Sequence, residues 1–189
     1  MALARHYGNK SMSLQDLHKG AWVGESVGPL RVVLDVETIG TVNTLSSRYP
    51  QSDQELETGV VYKNADGAAC DLVTALALEW PGSKRLLMLH ECKHTRNPVG
   101  EADTKVSIID VQAALEKVGS VLAEAGEGTP PYAVVFTSNR VFKREMKNSL
   151  ATELGRANLH KAVVVVRENC VEYFGPSLAP RFLGFFDPQ

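Results

Sequence analysis

The stretch GVVYKNADGAACDLVTALALEWPGSKRLLMLHECK, Gly59 to Lys93, decides how the rest of the chain folds. Its apolar runs alternate with turn signals at Ala65-Asp66-Gly67 and Pro81-Gly82. Short apolar runs bounded by Gly, Pro and Asp read as strands, and connections this short join antiparallel neighbours. The stretch therefore predicts a three-strand antiparallel meander. Its last strand ends on Glu91, Cys92 and Lys93, which sets a carboxylate and an amine at the mouth of the core.

Outward from the meander, Ser13 followed by Asp16 resembles a capping box and predicts a helix from about Leu14 to Gly24. LRVVLDV is the first strand, and a polar stretch from Thr41 to Glu57 follows, broken by Pro50. On the other side, VSIIDVQAALEKVGSVLAEAG is a helix capped by Ser107, with Asp110 in its first turn and Gly126 at its end. PYAVVFTSN reads as a strand, RVFKREMKNSLATELGRANL as a second helix and KAVVVVREN as a β-branched strand. The aromatic segment VEYFGPSLAPRFLGFF closes the chain. This order predicts an α/β fold, a mixed sheet flanked by helices.

The 189 residues suit one domain, residues 1–189, with its core over about 50–168. With 44% apolar and 22% charged residues the composition is that of a globular protein and excludes disorder. No run approaches the roughly 20 apolar residues that span a bilayer, so no membrane association is expected. The N-terminus lacks the apolar centre of a signal peptide. Three cysteines without a CxxC pair predict free thiols in a reducing, intracellular compartment. At a net charge of −2, nucleic-acid binding has to rest on local basic patches.

Side chains alternate along a strand, so Glu91 and Lys93 share a face with Leu87 and Leu89, while His90, Cys92 and His94 share the other. An odd-numbered loop before this strand sets Asp71 on the face of Glu91 and Lys93, whereas an even one sets it beside Cys92. With the odd loop, an aspartate, a glutamate and a lysine converge at the end of two neighbouring strands. Two close carboxylates repel unless a cation lies between them, and hard oxygen ligands favour Mg²⁺ or Mn²⁺. The Cys92 carbonyl can add a ligand, and an amine beside the metal can position a water and stabilise charge developing on a phosphate.

An aspartate on one strand followed by Glu-x-Lys on the next, as Asp71 and Glu91-Cys92-Lys93, resembles the PD-(D/E)xK nuclease superfamily. The order helix, three-strand meander, helix, strand is similar to that family's restriction-endonuclease-like core, over roughly Glu55 to Asn139. The resemblance implies phosphodiester hydrolysis, in DNA before RNA, with Asp71 and Glu91 holding the metal and Lys93 assisting the water. That family often adds a glutamate from the first core helix, and Glu55, Glu57 and Glu25 are the candidates. The tail YFGPSLAPRF after a valine-rich strand also resembles nuclease-like domains of Crinkler and retrotransposon-hot-spot effector proteins. A homodimer would suit double-strand cutting.

Other constellations compete. Glu145-Met146-Lys147 and Asp103-Thr104-Lys105 match the same short pattern without a buried strand before them. Asp35-x-Glu37 resembles the first motif of DnaQ-like exonucleases, although no aspartate lies between Asp110 and Asp187 to complete the set. His90, Cys92 and His94 alternate like half a zinc site but lack a fourth ligand. No oxyanion loop accompanies Cys92 as a nucleophile. Arg140, Lys143, Arg144 and Lys147 fall on one face of the predicted second helix, where they would attract a phosphate backbone. Thr137, Ser138 and Asn139 before it would touch a phosphate or cap that helix. The bland alternative is that Glu91 and Lys93 form an ordinary strand-end ion pair, and a further one is a non-catalytic binding module on the same fold.

Overall fold

The computed structural model describes residues 11–34, 41–50, 55–79, 85–95, 105–124, 130–143 and 149–183. The strands are β1 (Ser11–Ser13), β2 (Trp22–Val23), β3 (Arg31–Val33), β4 (Val42–Thr44), β5 (Val61–Lys63) and β6 (Leu72–Leu78). They continue with β7 (Arg85–Lys93), β8 (Lys105–Val106), β9 (Tyr132–Ser138), β10 (Val141–Phe142) and β11 (Ala162–Val165). The helices are α1 (Leu14–Leu17), α2 (Ile108–Glu124), α3 (Leu150–Arg156), α4 (Cys170–Phe174) and α5 (Ala179–Phe182).

The predicted meander forms: β5, β6 and β7 pair antiparallel in that order. From β7 the sheet continues through β9 and β11, both parallel, and ends on β2, which pairs antiparallel with β11. Parallel neighbours need a long crossover, and α2 and α3 lie in the two crossovers. One edge of β6 is shared, Leu72 to Thr74 pairing with β5 and Ala77 to Leu78 with β3. The result is a mixed α/β sheet, as expected.

Alternation along the strands divides the core into two layers. Val73, Ala75, Leu87, Leu89, Val134, Phe136 and Val164 face α2, which buries Val111, Ala114, Val118 and Leu122 against them. Those four recur at helical spacing, and burial of each of Val111, Val118 and Leu122 contributes about 1.5–3 kcal/mol. Leu76, Leu86, Met88, Ala133, Val135 and Val163 face the other way, under Leu14, Val27 and Val32. The N-terminus of α2 is as predicted, with the Asp110 carboxylate accepting from the Ser107 backbone N–H at 2.7 Å and from its hydroxyl at 2.9 Å.

Two predicted helices depart from the sequence reading. Helix α1 stops at Leu17 rather than near Gly24, although Ser13 caps it by accepting from Asp16 N–H at 3.1 Å. Gly20, at φ +92°, turns the chain toward β2, and a Cβ there would lie 2.6 Å from the backbone of Glu172. A close approach to a segment late in the chain thus ends the helix. The second helix does not begin at Arg140. Val141 and Phe142 instead form β10, parallel to β8. The Glu168 carboxylate accepts Phe142 N–H at 2.9 Å, and the Phe142 side chain is buried. Among the described residues the next helix is α3, whose cap Ser149 accepts from Thr152 N–H.

Ahead of β6 the turn is anchored by Asn64, which is buried. Its Oδ1 accepts from Tyr49 N–H at 2.8 Å and Ala65 N–H at 3.0 Å, and its Nδ2 donates to the Tyr49 carbonyl at 2.9 Å. Asn64→Ala strands those backbone groups and is expected to cost about 2 kcal/mol in a urea-unfolding measurement. An unchanged midpoint would show that solvent replaces these bonds.

Candidate active site

The β6–β7 register decides where Asp71 lies. Leu72 is opposite His90 and Ala77 opposite Arg85, so Asp71 has the parity of Glu91 rather than Cys92. This is the odd-loop alternative. Asp71 straddles Glu91 along the neighbouring strand: its N–H donates to the His90 carbonyl at 2.8 Å, and its Oδ2 accepts from Cys92 N–H at 2.7 Å. The Asp71 carboxylate thereby closes the end of the ladder, a structural task that uses one of its two oxygens.

Glu91 continues the Leu87–Leu89 face toward α2 and is 6% exposed. Burying a carboxylate this deeply requires partners. Lys93 Nζ lies 3.0 Å from Glu91 Oε1, and Lys117 Nζ lies 3.9 Å from Oε2. Both lysine side chains are about half exposed, so the cluster opens to water. Lys117 was not identified from the sequence. It sits on the rim of the α2 stripe beside Val118, and only the helix's docking on the sheet brings it to Glu91. A lysine bordering an apolar helical stripe was the available signal.

The end of β9 braces the site. Ser138, fully buried, donates to the Lys93 carbonyl at 2.6 Å and accepts from Arg140 N–H. The Asn139 side chain exchanges two hydrogen bonds with the Thr95 backbone, and Arg140 Nε donates to Thr95 Oγ1 at 2.9 Å. These residues therefore lock the ends of β7 and β9 together rather than cap a helix. Because Arg140 precedes β10 and Lys143 follows it, they do not stand on a helix face as predicted. Arg144 and Lys147 lie outside the described residues, as do Asp35 and Glu37.

The other face of β7 has separate employment for each of its polar residues. Burial lowers His90 to a pKa of about 4. Cys92 Sγ accepts from Thr137 Oγ1 at 3.3 Å, and burial raises its pKa, which disfavours the nucleophilic thiolate. His94 packs edge-on against Phe182 at 4.7 Å. Of the candidates for a further glutamate, Glu25 pairs with His160 at 2.7 Å, while Glu55 and Glu57 lie in irregular backbone, so none of them stands on a core helix.

Among the described residues no group of three or more His, Cys, Asp or Glu is arranged to hold a metal ion. Asp71 and Glu91 remain as a pair of hard oxygen donors on adjacent strand ends, the donor class that Mg²⁺ and Mn²⁺ take. Two side chains leave most of such an ion's shell to water, backbone carbonyls and substrate oxygens. Among the described residues no helix is long and apolar enough to cross a membrane. No protein-family model, curated protein or solved structure matches the chain.

Proposed function

We propose that the protein is a metal-dependent nuclease that hydrolyses phosphodiester bonds, DNA before RNA, at a site similar to that of PD-(D/E)xK enzymes. The observation that carries this reading is that Asp71 shares a strand face and sheet end with Glu91, whose Oε1 lies 3.0 Å from Lys93 Nζ. Asp71 and Glu91 would hold Mg²⁺ or Mn²⁺, with the Cys92 carbonyl as a further ligand. Bound there, such an ion lowers the pKa of a water and offsets phosphate charge. Lys93 keeps its ammonium toward the mouth of the cluster, where it orients the attacking water and stabilises charge building on the phosphate. Glu91 is held in place by the two lysines. Ser138 fixes the backbone on which Lys93 is carried.

A second reading rests on the same cluster: Glu91 is already neutralised by Lys93 and Lys117, as a structural ion pair on a binding module would be. Metal binding separates the two. Titration of Mn²⁺, followed by its electron-paramagnetic-resonance signal, is expected to show a site that Asp71→Asn removes, together with Mn²⁺-dependent cleavage of labelled DNA. A wild-type protein that neither binds Mn²⁺ nor cleaves single- or double-stranded DNA would favour the binding module.

A further inference from the structure

Beside the carboxylate cluster lies a pocket of about 140 Å³, lined by Arg48, Tyr49, Pro50, the Gly67–Ala69 turn, Lys117 and Val121. It has two cations and, among the described residues, no carboxylate in its lining. Its volume far exceeds the roughly 30 Å³ of one water. It is well short of the roughly 300 Å³ at which pockets accept drug-sized ligands. A small, doubly charged anion matches both its size and its charge.

The walls are built to keep the charges in place. Arg48 Nε donates to the Asp66 carbonyl at 3.0 Å, which fixes the plane of the guanidinium. Gly67, at φ +75°, lies beneath it, and a Cβ there would come within 3.0 Å of Arg48 Nη2. The turn therefore leaves room for the guanidinium itself. Lys117 enters from α2 and links the pocket to Glu91, its long 3.9 Å contact leaving the ammonium able to serve either side. Tyr49 stays neutral, because burial and the neighbouring Cys70 thiol both raise its pKa. The same turn leads directly into Asp71.

We propose that this pocket binds the phosphate monoester at the end of an oligonucleotide, with Arg48 and Lys117 matching its two charges and the sugar and base left outside. An internal diester carries a single charge and must enter and leave the recess on both sides, which fits it less well. That the pocket serves strand cleavage rests on the nuclease reading. That it binds a monoester does not.

The test is fluorescence anisotropy of a labelled oligonucleotide with and without a 5′-phosphate, in EDTA so that neither metal nor turnover enters. Charge-assisted bonds to two cations predict about a tenfold preference for the phosphorylated end. Inorganic phosphate is expected to remove that preference by competition. Arg48→Gln and, separately, Lys117→Gln should abolish it, and circular dichroism checks that each variant folds. Equal binding of the two oligonucleotides, or a preference that survives in both folded variants, would overturn the proposal. A 3′-phosphorylated oligonucleotide distinguishes which end is read, and equal binding of the 3′-phosphorylated, 5′-phosphorylated and unmodified forms is the same negative result. Failure of wild-type cleavage in Mg²⁺ alongside an intact preference would overturn the nuclease reading alone.

Discussion

Lys93→Ala is expected to lower metal-dependent cleavage by about a thousandfold, roughly 4 kcal/mol of transition-state stabilisation, while the protein stays folded. The two effects separate because of where the lysine sits. Its side chain is 45% exposed, so truncation removes little burial. Glu91 loses its 3.0 Å partner but keeps Lys117 at 3.9 Å, which limits the cost of an unpaired carboxylate. A stability loss of about 1–2 kcal/mol is expected, because the lysine is half exposed while the carboxylate it leaves is buried. Lys93→Arg, which retains the charge, should preserve the fold and restore only part of the rate, because a planar guanidinium cannot replace a point ammonium beside a water. Initial rates on labelled DNA, measured with thermal melts of the same preparations, decide the matter. Full activity in Lys93→Ala would place the chemistry elsewhere.

Acidification from pH 6.5 to pH 4 should remove about 3 kcal/mol of stability through His18 alone. This residue is 6% exposed at the end of α1, and its pKa is lowered from 6.5 to about 4, by burial first and then by His90. Its Nδ1 shares a 2.9 Å hydrogen bond with the Tyr173 hydroxyl, and its ring stacks on that tyrosine. Its Nε2 is buried with no partner among the described residues. The unfolded chain takes up the proton near pH 6.5, whereas the folded one resists until about pH 4. The contribution is therefore complete above pH 6.5 and is lost as the pH falls toward 4. His90, also lowered to about 4, acts in the same direction. Urea unfolding across this range should give a shallower pH dependence for His18→Phe than for the wild type. Parallel curves would show that His18 is not the group responsible.

How far the sequence could be read depended on the range of the interactions involved. The meander and the side of the sheet taken by Glu91 follow from strand alternation and short connections, which are local. Asp71 was legible only as a choice between two parities, and the observed register resolves it. The start of α2 was visible in Ser107 and Asp110 for the same local reason. The early end of α1 was hidden because the crowding at Gly20 comes from Glu172 and Tyr173, far along the chain. The helix expected from Arg140 has adequate local propensity, but Glu168 and β8 claim its first turn for a strand. Lys117 and Arg48 were missed because neither motif nor spacing connects them to Glu91 or to the turn before Asp71. Docking of α2 and folding of the turn make those contacts.

The pairing of β2 with β11 also bears on how the protein is made. Trp22 lies opposite Val164 and Val23 opposite Val163, so β2 leaves the ribosome well before the strand it pairs with. At ordinary elongation rates that delay is roughly ten seconds. During it β2 must remain uncommitted, and β9 lacks the β11 neighbour that joins the two. A two-residue strand between Gly20 and Gly24 makes a poor template for a wrong neighbour, which lets the segment wait without recruiting another chain.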